Sequence, residues 1–421
     1  MEYEKIILDN GLKVISCPMP HTRSVSVLFF VTAGSCYEHD GVAGISHFIE
    51  HMCFKGTRKR QSSYEISEAI EGVGGIMNGG TDREITSYWC KLASQHFEIA
   101  VDVIVDLLRN PLFRTEDVDK ERQVIIEEIN MSLDSPQQRV GMIFDELMWP
   151  GKAMGRDVAG SKETVGAITR EQMLYILNNY YTPNNMLVSI AGNFETEGAL
   201  ELLRQATGDW RKGMAPEYRE SKIEQAGPRT RIEHRETEQV NLVMGVEAPS
   251  IFHPDRFAVY LLNIILGVGM SCRLFTEIRE KLGLAYDIHS YIENFRETGV
   301  FGIMAGIEPG NTGKAIKAIL KQLAKARDGV SEAELNKARE MSMGGLLLSM
   351  EDSRKVAGWY GAQEVLTGKI MTIDDVKQAI ENVTLEDIRR VAGELFKAEK
   401  LNLAIVGPVK DDGSVAKLMK L

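Results

Sequence analysis

The sequence predicts an α+β protein built as two homologous halves, and three observations carry that reading. At 421 residues the chain is too long for one ordinary core. Apolar runs of strand character alternate along it with amphipathic runs of helical period. Patterns also recur at a near-constant offset. The interval from Thr169 to Gly192 equals that from Thr384 to Gly407, and each pair frames a threonine-opened helix and a strand that stops at glycine. Lys120-Glu121-Arg122 and Ser132 recur, with identical spacing, as Lys337-Ala338-Arg339 and Ser349. The repeat is therefore about 210 residues long. The expected division is 1–212, a linker at 213–230 with Pro216, Gly227 and Pro228 among charged residues, and 231–421.

In the first half, residues 3–9 and 12–17 read as strands joined by Asn10-Gly11, a strong hairpin signal. A third strand covers 25–32, and Gly41 to Gly44 lead into a helix. A short helix over 64–71 stops at Gly72, Gly74 and Gly75. Residues 76–91 read as one strand with a start loosened by Gly79 and Gly80. Those glycines mark either an ordinary bulge or a place where another backbone can approach. Helices follow over 94–109, 115–132 and 137–149. Thr169-Arg170-Glu171-Gln172 is a capping box for a helix reaching Tyr180. A strand over 186–191 and a helix over 196–207 complete the half. The second half repeats the ending with a helix opened by Thr384 and a strand at 403–406.

Composition narrows the function. Hydrophobic residues at 44% and charged residues at 26% are those of a globular protein. A net charge of −11 opposes a nucleic-acid binder, which would carry a basic stripe. The longest apolar runs, such as 25–31, are too short for a bilayer, so no membrane association is expected. The N-terminus lacks a basic start followed by an apolar core, so no signal peptide is expected. Five cysteines (Cys17, Cys36, Cys53, Cys90, Cys272) without C-x-x-C spacing argue against a disulfide framework and for a cytoplasmic location.

The chemistry concentrates in His47-Phe48-Ile49-Glu50-His51. On a helix His51 lies about 40° from His47, and Glu50 about 60° to the other side. Imidazoles at i and i+4 can chelate one Zn²⁺ and leave the carboxylate close enough to take a proton from water, the alternative being an amphipathic helix with two incidental histidines. H-x-x-E-H is the inverted form among metallopeptidase motifs. Cys53 falls about 200° further round and should pack in the core. A third ligand is needed. On the 115–132 helix, Glu121 and Glu128 lie seven apart on nearly one line. Val124 and Ile125, one turn earlier, put Glu128 on the stripe expected to face the interior, where an acid needs a compensating charge. Glu127 falls on the solvated side. In the second half the offset sets Ala338 opposite Glu121 and Gly345 opposite Glu128, and no H-x-x-E-H occurs. Metal binding therefore belongs to the first half alone. That second half carries Gly267-Val268-Gly269 and, further on, Arg279 and Tyr286. By residue type these last two read as a solvated arginine and a core-edge tyrosine.

Taken together, these segments resemble the pitrilysin family of inverted-motif zinc peptidases, which includes insulin-degrading enzyme and mitochondrial processing peptidase. The likeness is closest to bacterial chains related to the processing-peptidase β subunit. It implies halves that are each a mostly antiparallel sheet packed with helices. Its ligand spacing, counted from His51, implies that Glu128 is the third zinc ligand, with one Zn²⁺ per chain, and that Glu121 supports a ligand histidine. The family's Asn-Ala-x-Thr segment, which precedes a substrate-binding edge strand, matches Asn78-Gly79-Gly80-Thr81, with glycine where the family has alanine. Its Arg-x₆-Tyr pair matches Arg279 and Tyr286, which implies a role for both in oxyanion stabilisation. The resemblance further implies a metalloendopeptidase with Glu50 as the base. Two such chains would close around peptides or unfolded polypeptides as a homodimer or as a heterodimer with a related subunit. A non-catalytic or partner-dependent scaffold subunit is the alternative.

Overall fold

The computed structural model describes residues 2–222 and 224–421; Met1 and Ile223, the latter inside the expected linker, lie outside them. The first sheet is made of β1 (Glu4–Ile7), β2 (Lys13–Pro18), β3 (Ser24–Val31), β4 (Ile76–Thr81), β5 (Thr86–Ala93) and β6 (Met186–Gly192), in the order β1-β2-β6-β3-β5-β4. Only β2 and β6 run parallel. β3 and β6 are buried along almost their whole length, so both faces of the sheet's centre are covered. The hairpin over β1 and β2 forms where Asn10-Gly11 predicts it, with Gly11 at φ +89°.

The first-half helices are α1 (Ile45–Cys53), α2 (Ser63–Glu71), α3 (Phe97–Arg109), α4 (Thr115–Asp134), α5 (Pro136–Met148), α6 (Lys162–Ala167), α7 (Arg170–Tyr180) and α8 (Thr196–Thr207). Local chemistry sets several of these starts. Ser135 caps α5 through the Gln138 amide, and the Thr169 capping box with Gln172 opens α7.

The second sheet contains β7 (Arg229–His234), β8 (Val240–Ala248), β9 (Ala285–Asn294), β10 (Gly299–Ile307) and β11 (Asn402–Gly407), in the order β7-β11-β8-β10-β9. Here β7 and β11 are the parallel pair. The second-half helices are α9 (Arg256–Gly267), α10 (Thr312–Asp328), α11 (Glu332–Ser349), α12 (Ser353–Thr367), α13 (Ile373–Glu381) and α14 (Leu385–Leu395). The duplication is therefore structural. The step from the start of α4 at Thr115 to that of α11 at Glu332 nearly equals the step from α7 at Arg170 to α14 at Leu385. Thr384 also repeats the capping box, with Asp387.

The compact units are not two consecutive blocks. One takes in the chain through Asn130, then Arg156–Arg219 and Leu347–Thr372; the other takes in Met131–Gly155, Glu220–Leu346 and Ile373–Leu421. The first-half helix α5 thus packs on β11, β8 and β7, and the second-half helix α12 packs on β3, β6 and β2. Close approach requires glycine in both places. A Cβ on Gly361 would collide with the Phe30 ring, and one on Gly245 would stand 2.7 Å from Phe144. Residues 213–222 and 224–228 carry no helix or strand.

One expectation is corrected. Residues 76–91 are not a single strand but a hairpin, with β4 antiparallel to β5 and Thr81 opposite Thr86. The turn is made by Asp82 to Ile85, the Asp82 amide donating to the Ile85 carbonyl at 2.8 Å. It contains no glycine, proline or asparagine to mark it. β4 consequently becomes the edge of the sheet.

Candidate metal centre

α1 begins at Gly44, whose φ of +93° lies in the left-handed region that glycine alone adopts at little cost. A Cβ there would also collide with the Ala159 carbonyl oxygen. With no side chain at the cap position, the buried Glu38 supplies the cap from six residues upstream. Its Oε2 accepts the Gly44 amide and its Oε1 the Ser46 amide, both at 2.8 Å. A carboxyl group at this end also meets the positive pole of the helix. Arg156 donates to the Glu38 carbonyl at 2.9 Å and pairs with Asp40, holding the turn in place. Burial pushes the Glu38 carboxyl up, against the bonds from Ser46 and Gly44 and the charge of Arg156.

Ile45, Phe48, Ile49, Met52 and Cys53 are buried. His47, Glu50 and His51 stay partly exposed on the other side of the helix. All five cysteines are free and buried, Cys53 among them with the Tyr88 hydroxyl donating to its Sγ at 3.6 Å.

The Nε2 atoms of His47 and His51 stand 3.1 Å apart. Glu128 Oε2 lies 3.9 Å from the first and 3.7 Å from the second. No other group of three possible metal-ligating side chains converges like this among the described residues. Two donors sharing one tetrahedral zinc at ordinary bond lengths are about 3.3 Å apart. The imidazoles therefore already have the spacing a zinc ion requires, and Glu128 stands a few tenths of an ångström farther out. Two histidines, one carboxylate and an open side form the donor set of a catalytic zinc; the residues fit the ion.

The environment of Glu128 differs from the expected one. Half of its side chain is exposed, and Val124 is exposed too. The buried stripe of α4 is Val118, Glu121, Ile125 and Ile129. Glu128 sits at the solvent edge of that stripe, so burial demands no counter-charge for it. What marks it as a candidate ligand is its distance from the two rings.

The buried acid is Glu121, 4% exposed. His51 Nδ1–H donates to its Oε1 at 2.8 Å, and Lys55 Nζ pairs with its Oε2 at 2.7 Å. Burial alone would raise Glu121; the bonds from His51 and Lys55 outweigh it and hold the carboxyl below its usual range. An ionised Glu121 keeps the His51 proton on Nδ1 and turns the Nε2 lone pair toward His47 and Glu128. Burial lowers His51, but the Glu121 bond and the charges of Glu50, Glu121 and Glu128 leave it raised. His47 has no such acid against it: burial and the His51 charge push it down to about 4, and its buried Nδ1 makes no hydrogen bond. The lowered value favours the neutral ring, which is the form that could bind a metal.

Glu50 Oε2 accepts a hydrogen bond from Thr81 Oγ1 at 2.8 Å. Burial raises its carboxyl above the ordinary range, with Thr81 and His51 pulling the other way. That is the direction that suits an acid–base group near neutral pH. The pleat splits the Asn78–Thr81 segment: Gly79 and Thr81 are partly buried, whereas Asn78 and Gly80 are exposed. Asn78 Oδ1 accepts the amide of its neighbour Gly79 at 2.8 Å.

Arg279 lies in a π-helical turn, Phe275–Lys281. Its guanidinium stacks over the Phe275 ring at 4.7 Å and the Tyr286 ring at 5.1 Å. Tyr286 is 75% exposed, so it is no core-edge tyrosine. Sequence reasoning missed two residues here. Lys55 could have been found from its place four residues after His51. Glu38 leaves no local signal, because only the tertiary turn brings it to α1.

Residues 13–162 match the family described as Insulinase (Peptidase family M16), and residues 167–342 match its companion, the Peptidase M16 inactive domain. The chain belongs to peptidase family M16. An uncharacterized zinc protease of Streptomyces coelicolor is 34% identical, over 96% of this chain and 89% of its own length. One from Bacillus subtilis is 31% identical, over 95% of this chain and 97% of its own length. Among solved structures, a protease from Helicobacter pylori superposes with a TM-score of 0.91 at 25% identity, covering 97% of this M16 chain and 99% of that one. The inactive-domain match runs from the end of the first half into the second, and no H-x-x-E-H motif occurs within it. Among the described residues no helix is long and apolar enough to cross a membrane.

Proposed function

We propose that this M16 chain is a zinc-dependent endopeptidase acting on peptides or unfolded polypeptides. The observation that carries the proposal is the convergence of His47, His51 and Glu128 beside a partly buried, hydrogen-bonded Glu50. These three residues would hold one Zn²⁺, which when bound polarises a peptide carbonyl and makes water more acidic. Glu50 takes the proton from the attacking water and passes it to the leaving amine. Glu121, steadied by Lys55, keeps the His51 ring oriented. On the family likeness, Tyr286, with Arg279 stacked on it, would donate to the developing oxyanion. The peptide would lie extended and add a strand to β4 at Asn78–Thr81, the open edge of its sheet. The working form would be a dimer, of this chain with itself or with a related subunit. The cytoplasm is its proposed location, in keeping with five free cysteines.

The test is hydrolysis of a quenched unstructured peptide by purified protein. Activity should vanish with a chelator and return with stoichiometric zinc. The alternative, a non-catalytic or partner-dependent scaffold subunit, predicts zinc-loaded protein that stays inert until a second polypeptide is added. Inertness under every condition would defeat the peptidase reading.

A further inference from the structure

β4 faces two ways, and its inner face is occupied by the proposed base. Thr81 Oγ1 donates to Glu50 Oε2 at 2.8 Å. Two residues earlier on that face, Gly79 presents bare backbone. A Cβ there would stand 2.8 Å from Glu50 Oε1, 3.0 Å from Glu50 Cγ and 2.9 Å from Phe54 Cε2. The Glu50 side chain is thus packed against one residue of the strand and hydrogen-bonded to the next one on the same face. Asn78 and Gly80, between and beside them, are exposed on the outer face.

We propose that Thr81 is a positioning residue for Glu50, so that the edge strand offered to the peptide also fixes the carboxylate that takes the proton. This rests on the peptidase reading above, and it changes what the Asn78–Thr81 segment does. The segment is not a uniform substrate contact. Its outer residues remain for the peptide, while Gly79 and Thr81 hold the base. A glutamate has three side-chain torsions, and one carboxylate oxygen tied to a strand hydroxyl removes most of that freedom. The strand is rigid because β5 pairs with it along its length, from Ile76 with Lys91 to Thr81 with Thr86. A substrate strand pairing on the open side would stiffen it further, which links occupancy of the edge to the placement of the base.

The test compares Thr81→Val, which keeps the shape and loses the hydroxyl, with Thr81→Ser, which keeps the hydroxyl. Thr81→Val should lower kcat by about tenfold to a hundredfold, less than loss of a general base, while KM and zinc content stay as in the parent. Thr81→Ser should recover most of kcat. Crystal structures of the two variants give a readout independent of turnover: Glu50 should leave its position against Gly79 in Thr81→Val and keep it in Thr81→Ser. A Thr81→Val protein with undiminished kcat, or with Glu50 unmoved, overturns the inference. A raised KM with kcat intact also overturns it and returns Thr81 to substrate contact. If the parent itself cleaves no peptide, the peptidase reading fails, and the Glu50 comparison in the two structures still decides the positioning role.

Discussion

α4 and α11 are the same helix in two copies, passing through matching Lys-x-Arg and Ser positions at one constant offset. In the first copy, Glu121 reaches the His51 ring and Glu128 approaches both imidazoles. In the second, Ala338 stands for Glu121 and lines a cleft of about 420 Å³ bounded by Ile264, Cys272, Arg273 and Lys337. What fastens α11 there is an ion pair. Arg273 holds Glu334 through Nε at 2.6 Å and Nη2 at 2.9 Å, and Lys337 donates to the Ser271 carbonyl at 2.8 Å. The junction that a metal ion would tie in one copy is tied by charged side chains in the other. A duplicated scaffold can therefore lose its ligands without losing the helix they sat on.

The largest break in this comparison should come from Glu50→Gln. Peptide cleavage should fall by about a hundredfold to ten-thousandfold, while elemental analysis still finds zinc. Glu128→Ala should act differently and deplete the metal itself, and full zinc occupancy in that variant would count against the ligand assignment. Next come Glu121→Ala and Lys55→Met, which loosen the support of His51. Zinc affinity, measured by competition with a chelating dye, should weaken by about tenfold to a hundredfold for Glu121→Ala and by less for Lys55→Met. The reverse change, Ala338→Glu, should create no second zinc site, because the second half has no histidine pair to share the ion.

A smaller effect is expected from Gly79→Ala. The new methyl displaces Glu50, so kcat should drop by roughly tenfold or less with zinc retained. Activity equal to the parent's would mean that the base does not rest against this glycine.

The smallest concerns the second copy. The Arg273 bond holds the Glu334 carboxyl at about 2, against burial, compared with about 4.3 in an unfolded chain. Its stabilising contribution is therefore complete above about pH 4.3 and lost as pH falls toward 2. Because the pair is partly exposed, Glu334→Gln should cost no more than about 1 kcal/mol near neutral pH. Denaturation curves of variant and parent should converge in acid, with zinc content equal throughout.

Much of this was legible in residues. Asn10-Gly11 set its hairpin, Thr169 and Thr384 their helix starts, and the matched spacings of the two halves exposed the duplication. The first three are local rules in which a side chain acts on the backbone within a few positions. The β4–β5 hairpin escaped because Asp82 to Ile85 turns without any residue that demands a turn. The half-exposed setting of Glu128 is not legible, because Val124 suggests a wider apolar stripe than α4 buries. Glu38 caps α1 from six residues upstream, outside the three-residue spacing of a capping box, and the exchange of α5 and α12 joins chain segments far apart in sequence, which no window of residues announces.

That exchange bears on how the protein is made. While the ribosome is still synthesising the second half, β3 and β6 already exist, but α12, the helix that packs on them, has not yet emerged. The nascent first sheet must wait for more than a hundred further residues, with Phe30 and its neighbours lacking their cover. A domain that finishes its own core on release needs no guardian during translation; this one has an interval in which premature association is the hazard.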